Sequence, residues 1–160
     1  MGLSLGLNPL LIQYKMNSNQ DFKFSMPIPM RWNDMDALGH VNNVYYFEYF
    51  QMARAPYMMT VSKQWDWTKN MFVIAHIACD FKKELTLLHH KPIIKLRVSS
   101  MSNKSFEMEY LIASTAKDGS EIIHATGKSV NVMIDMQTKS SIEIPDWLRE
   151  DIEKFEAVES

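Results

Sequence analysis

Only one cysteine, Cys79, occurs in the 160 residues. No disulfide can form within the chain, and no Cys/His spacing resembles a zinc site. That usage fits a reducing compartment, so the cytoplasm is the expected location. An excess of charge of either sign is also lacking, because 17 basic residues face 19 acidic ones for a formal net charge of -2. Such a balance offers no electrostatic footprint for a nucleic acid and no polybasic surface for a membrane, which leaves a small ligand as the expected partner. Internal repeats and low-complexity tracts are absent as well. The first twenty residues hold a short apolar stretch from Leu10 to Ile12. They have no basic leader, no long apolar segment and no small-residue cleavage site, so no signal peptide is predicted. Gly6 stands where a myristoylation signal would need Ser or Thr. Residues 1–20 are expected to form a flexible arm ahead of one domain over 21–160.

What is present is apolar material: 46% of the chain is hydrophobic, enough for one domain with a real core at a length too short for two. From Asp21 to Trp32 the side chains Phe22, Phe24, Met26, Ile28, Met30 and Trp32 alternate with shorter or polar ones, which predicts a strand. Pro27 and Pro29 remove ladder donors and place that strand at an edge or a bulge. The stretch from Asn33 to His40 gathers Asn, carboxylates and Gly, as loops do. From Asn43 to about Ser62 a helix of roughly 30 Å is predicted, with Asn42 or Asn43 placed to cap it. Only Glu48, Gln51, Arg54 and Thr60 interrupt its apolar run, so it should be buried on most sides. Pro56 should kink it.

Four further strands are predicted over residues 72–81, 93–101, 106–116 and 122–134. In the third, Phe106, Met108, Tyr110 and Ile112 face one way while Glu107 and Glu109 face the other. Short connections such as Asn103-Lys104 and Asp118-Gly119 fit antiparallel hairpins. In the last strand Val130, Val132 and Ile134 are out of step with Ile123 and Ala125, and Gly127 is placed for a bulge between them. Pro145-Asp146-Trp147 opens a short amphipathic helix. The expected class is α+β, a mainly antiparallel sheet curled around one long central helix.

The ordered run Arg31-Trp32-Asn33-Asp34-Met35-Asp36-Ala37-Leu38-Gly39-His40-Val41-Asn42-Asn43, followed by Tyr45 through Arg54, resembles the signature of the 4-hydroxybenzoyl-CoA thioesterase family of hotdog proteins. Phe81-Lys82-Lys83, Asn103-Lys104-Ser105 and Ile144-Pro145-Asp146-Trp147-Leu148 extend the likeness over roughly residues 21–149. The resemblance implies a hotdog fold and a homodimer joining two sheets edge to edge, or a dimer of dimers. It also implies hydrolysis of an acyl-coenzyme A thioester without a cofactor. It puts the catalytic carboxylate on Asp36 and the amide that binds the thioester oxygen on the backbone N–H of Asn43. The chain departs from the pattern at Glu84 and His89-His90, where relatives carry Pro and then Gly-Asp, and at Gln51, where the helix often has Glu.

Thioester hydrolysis needs a base or nucleophile near the carbonyl carbon and donors aimed at the oxygen that becomes negative. Asp36 can supply the first, as nucleophile or as general base. A loop turning at Gly39 would carry its carboxylate back toward the helix N-terminus, whose unpaired N–H groups supply the second. His40 is a candidate to orient Asp36 or touch substrate, and Asp34 is expected to be structural. Asn42, Lys82, Lys83 and Lys104 are candidate substrate contacts, the lysines for coenzyme A phosphates, with Lys91 and Arg97 as further cations. His76, Cys79, Asp80, His89, His90 and His124 are scattered without ligand spacing, and no metal is expected. The rival readings are a thioesterase for acyl groups on acyl carrier protein and a noncatalytic acyl-CoA binding protein. A hotdog dehydratase lacks its catalytic His and helix acid here.

Overall fold

The structure is a computed structural model that describes residues 22–157; the arm expected over 1–20 lies outside them. In chain order the elements are β1 (Phe24–Pro27), a 3-10 turn (Trp32–Asp34), α1 (Asn43–Val61), β2 (Met71–Phe81), β3 (His90–Met101), β4 (Ser105–Thr115), β5 (Glu121–Ile134) and α2 (Asp146–Glu156). The five strands form one antiparallel sheet in the order β1-β3-β4-β5-β2. Among the described residues no helix is long and apolar enough to cross a membrane.

The period-two pattern decides which face meets α1. Ile94, Leu96 and Val98 of β3 and Phe106, Met108, Tyr110 and Ile112 of β4 are buried with Tyr46, Phe50, Ala53 and Tyr57 of the helix. The alternate residues of these strands form ion pairs on the outer face with one another and with β5: Arg97 with Glu109 at 2.6 Å, Lys95 with Glu121 at 2.9 Å and Lys128 with Glu107 at 2.7 Å. α2 closes one side of the core with Leu148 and Ile152.

Three expectations are corrected. The first strand is only four residues long, because its ladder with β3 ends at Pro27, beyond which the Ile28 N–H bonds to the Pro92 carbonyl at 2.9 Å. β1 is nevertheless an edge strand, as its prolines require. Second, α1 is not wrapped on most sides. The sheet covers one side, and Val44, Met52 and Met59 stand on an exposed apolar stripe. The helix also runs on through Pro56, which has no N–H to give to the preceding turn, while Thr60 Oγ1 donates to the Pro56 carbonyl at 2.8 Å.

Third, β5 is not bulged at Gly127. Its register against β4 slips at His124, since Ile112 pairs with Ala125 but Ala113 with Ile123. Beyond that point Ala125, Gly127, Ser129, Asn131 and Met133 all face inward. Two polar side chains therefore occupy core positions, and Val130 and Val132 face out. Ser129 Oγ lies 2.7 Å from the Tyr110 hydroxyl, and Asn131 Nδ2 donates to the Phe106 carbonyl at 3.0 Å. Gly127 is glycine because a Cβ there would lie 2.4 Å from two ring carbons of Phe50. Phe50 in turn stacks on Tyr110, with centroids 4.2 Å apart.

Candidate active site

Between the 3-10 turn and α1 the chain closes a tight loop. Met35 and Val41 form an antiparallel bridge, the Asp36 N–H donates to the His40 carbonyl at 2.7 Å, and Gly39 at φ +76° donates to the Asp36 carbonyl at 3.0 Å. Within the loop one carboxylate oxygen of Asp36, Oδ1, accepts from the N–H groups of Leu38 (2.9 Å) and His40 (3.1 Å). Oδ2 has no partner among the described residues, and the side chain is exposed. Asp36 thus has one oxygen fixed by the backbone and one free for chemistry. His40 orients Asp36 through its backbone, not its ring.

The helix follows at once. Asn42 is its N-cap, accepting from the Val44 N–H at 3.3 Å, and its own N–H donates to the Asp34 carbonyl at 2.8 Å. Asn42 is therefore placed as a structural cap. The N–H of Asn43 finds no partner among the described residues and stays at the positive end of the helix dipole.

Asp34 holds this junction from inside. Fully buried, its carboxylate accepts from the Tyr49 hydroxyl (2.7 Å), the Arg31 N–H (3.1 Å) and Arg31 Nε (2.9 Å). Burial opposes its charge, but the hydroxyl, the amide and the guanidinium together outweigh burial and lower its pKa. Asp34 is structural, as expected, and its bonds reach a guanidinium and a helix tyrosine that sequence reasoning did not connect to it.

A second segment, between β2 and β3, stands beside the loop. The Leu85 carbonyl accepts from the Val41 N–H at 2.8 Å, and the Leu85 side chain is fully buried. Thr86 to His89 form a turn in which the Thr86 N–H donates to His89 Nδ1 at 3.1 Å and the Leu88 N–H to Thr86 Oγ1 at 3.2 Å. The turn is seated on His124, the slipped residue of β5, whose ring meets that of His89 edge-on at 4.6 Å. Nδ1 of His124 faces the carbonyls of Glu84 (3.0 Å) and Lys83 (3.2 Å), so it carries the proton and donates, leaving Nε2 to accept from Ser114 Oγ at 2.7 Å.

Burial, with His89 nearby as a second cause, lowers the His124 pKa from 6.5. The unfolded chain then binds the proton more readily, so the contribution of the neutral ring to stability is complete above about 6.5 and is lost as pH falls through the folded value. Urea midpoints should drop between pH 7.5 and 5.5 in the wild type and drop less in His124→Gln. Equal drops in both proteins would remove His124 as the acid-sensitive seat of the turn.

The two segments enclose an open groove of about 640 Å³, lined on one side by Trp32, Met35 and the Asp36–His40 loop and on the other by Thr86, Leu87 and Leu88. Lys82 and Lys83 lie in the second segment, their N–H groups bonded to the His124 carbonyl at 2.8 and 3.1 Å. Lys104 is elsewhere. It precedes Ser105, which pairs with Val132, whereas Phe81 pairs with Ala125, so within one protomer it lies about 23 Å away along β5. Arg97 faces Glu109 on the outer side of the sheet, and Lys91 opens β3 with a positive φ of 48°. Among the described residues no three His, Cys, Asp or Glu side chains are grouped to hold a metal ion. The Thr86–Leu88 wall was missed in the sequence; its only signal was an apolar Leu87-Leu88 pair within a polar loop.

This chain is similar to several known proteins. It is 27% identical over 90 residues to the uncharacterized protein YsmA of Bacillus subtilis (strain 168), a stretch spanning 56% of this chain and 60% of the relative, less than two thirds of its length. A thioesterase from Thermus thermophilus, solved with coenzyme A and Zn, superposes with a TM-score of 0.73 at 25% identity, covering 89% of this chain and 100% of that one. A 4-hydroxybenzoyl-CoA thioesterase variant solved with 4-hydroxybenzoyl-CoA superposes with a TM-score of 0.71, covering 81% and 97%. At 14% identity that likeness concerns the fold alone, which is the hotdog fold. A family model described as Thioesterase-like superfamily matches residues 30–152, so the chain belongs to the Thioesterase-like superfamily.

Proposed function

We propose that this protein hydrolyses acyl-coenzyme A thioesters with Asp36 as nucleophile or general base, within the 4-hydroxybenzoyl-CoA thioesterase branch suggested by the run from Arg31 to Asn43. The observation that carries the reading is the state of Asp36: Oδ1 pinned by two backbone N–H groups, Oδ2 free, in a groove beside the start of α1. As nucleophile, Oδ2 adds to the thioester carbon, the C–S bond breaks, and the sulfur leaves as a thiolate that takes a proton from solvent. Water then cleaves the mixed anhydride. As base, Oδ2 takes a proton from the water that adds to the carbon, and the proton passes on to the departing sulfur. The Asn43 N–H is the donor for the oxyanion in either route. His40, through its backbone, is a positioning residue. Lys82 and Lys83 would meet the anionic end of coenzyme A from the same segment that walls the groove, and Lys104 would contribute only from a second protomer.

The reading includes a homodimer or a dimer of dimers. β2 is an eleven-residue edge strand with Val73 and Ile74 exposed, and an unpaired edge of this kind invites a second copy. Light scattering should give at least twice the mass of one chain, and a stable monomer would remove the edge-to-edge arrangement. The activity is tested by free-thiol release from short, medium, long and aromatic acyl-CoAs, with matched acyl-carrier-protein substrates alongside. Selective release from coenzyme A is expected. Release confined to the carrier-protein substrates, or acyl-CoA binding without release, would replace the proposal with one of its two rivals.

A further inference from the structure

Loop tips normally carry polar side chains, yet the two segments that line the Asp36 groove carry large apolar ones. Trp32 is 80% exposed, Leu38 78% and Leu88 95%, and Leu87 beside them is exposed as well. A single exposed leucine is ordinary, but four such residues around one concavity mark a surface that water leaves when a ligand arrives. All four line the groove that holds Asp36. The backbone presents them firmly. Leu38 projects from the loop closed by the Met35–Val41 bridge, and Leu88 from the turn closed by Thr86 and His89. The Val41-to-Leu85 hydrogen bond ties the two segments together.

Charge narrows the occupant. Among the described residues of one protomer, the only charged side chain lining the groove is Asp36 itself, and the other polar side chains there are His40 and Thr86. An acyl group ending in a carboxylate would meet a like charge and no lysine or arginine, whereas an uncharged chain or ring would cover Leu38, Leu88 and Trp32.

Building on the thioesterase reading, we propose that Leu38 and Leu88, with Trp32, form an apolar clamp that selects neutral, apolar acyl groups and rejects acyl groups bearing a terminal carboxylate. Leu88 belongs to the segment carrying Glu84 and His89-His90, where the chain departs from the pattern it resembles, so the preference is a property of this chain.

The test compares kcat/KM for unbranched acyl-CoAs of increasing length, and for an ω-carboxylated acyl-CoA of matched length, in the wild type, Leu38→Asn and Leu88→Asn. Both positions are exposed, so the variants should fold, and circular dichroism checks that they do. The wild type should gain about threefold to fourfold per added methylene over the span of the clamp and disfavour the carboxylated analogue by at least tenfold. In Leu88→Asn the gain should fall below twofold per methylene. An unchanged gain in both variants would overturn the clamp. So would a loss equal at every chain length, which would mean that the groove takes the coenzyme arm.

The same series measured as dissociation constants on Asp36→Asn protein separates this inference from the one beneath it. A length-dependent affinity that Leu88→Asn flattens, with no hydrolysis by wild type, would sink the enzyme and keep the clamp. A flat affinity would sink the clamp whatever the turnover.

Discussion

Asp36→Asn should fold as the wild type does and release free thiol from acyl-CoA at least a hundredfold more slowly. The amide oxygen can occupy the place of Oδ1 and still accept from Leu38 and His40, so the loop keeps its two internal bonds. The free oxygen becomes an NH₂ group, which has no lone pair to give to a carbonyl carbon or to a proton. A hundredfold corresponds to about 2.7 kcal/mol of transition-state stabilisation, within the range expected for a group that acts directly on the reacting atoms. The measurement is a thiol-release assay beside circular dichroism and a urea midpoint. A folded variant that turns over within threefold of wild type would take the chemistry away from Asp36. Unlabelled acid from a single turnover in isotope-labelled water would establish the anhydride route, because water attacking the Asp36 side of an anhydride leaves one of the carboxylate's own oxygens in the released acid.

Asp34→Ala should be the most destabilising single change at the site, by about 3 kcal/mol. The Tyr49 hydroxyl and the Arg31 N–H would both lose a charged acceptor that no other described residue supplies. The Arg31 guanidinium is more than half exposed and regains water, so its bond adds little to the loss. A urea midpoint lower by one to three molar follows from about 1–3 kcal/mol per molar for small proteins. The native contribution should also be acid-labile. With a folded pKa held below its ordinary value of 3.8, it is complete above about that pH and declines as pH falls through the folded value. A midpoint within half a molar of wild type would show that Tyr49 and Arg31 find other partners. Activity should fall with stability, because the Asp34 carbonyl receives the N–H of Asn42, the helix cap next to the loop that carries Asp36.

Most of the fold was legible because its signals are local. Alternation in β4 named the inner face correctly, the hairpin connections gave antiparallel order, and Pro27 marked an edge. What failed depended on partners far along the chain. Ser129 and Asn131 look like outward residues until Tyr110 and the Phe106 carbonyl are beside them, and this turned a change of step into a false bulge at Gly127. The helix read as enclosed because composition cannot say where a sheet stops. In the site, Asp36 and Asn43 were singled out by the resemblance of the run from Arg31 to Asn43, and Asn42 by its place ahead of a helix. Leu88 and His124 were not, since they meet only when the segment after β2 folds back on the start of β5. Lys104 was grouped with Lys82 and Lys83 by residue type alone, and strand register puts them at opposite ends of the sheet.

The inner face of β5 offers a different socket at every second residue: a notch at Gly127 for the Phe50 ring, a hydroxyl at Ser129 for Tyr110, and an amide at Asn131 for a β4 carbonyl. A strand displaced by two positions would keep its inside–outside alternation and most of its ladder bonds, so alternation alone cannot reject it. Here such a displacement drives the Ser129 side chain into the space reserved for Phe50 and leaves the Asn131 amide without its carbonyl. The three residues thus act as a key that admits one alignment of β5 as the sheet assembles. Because β5 also carries His124, that alignment fixes how far the Thr86–His89 turn stands from Asp36.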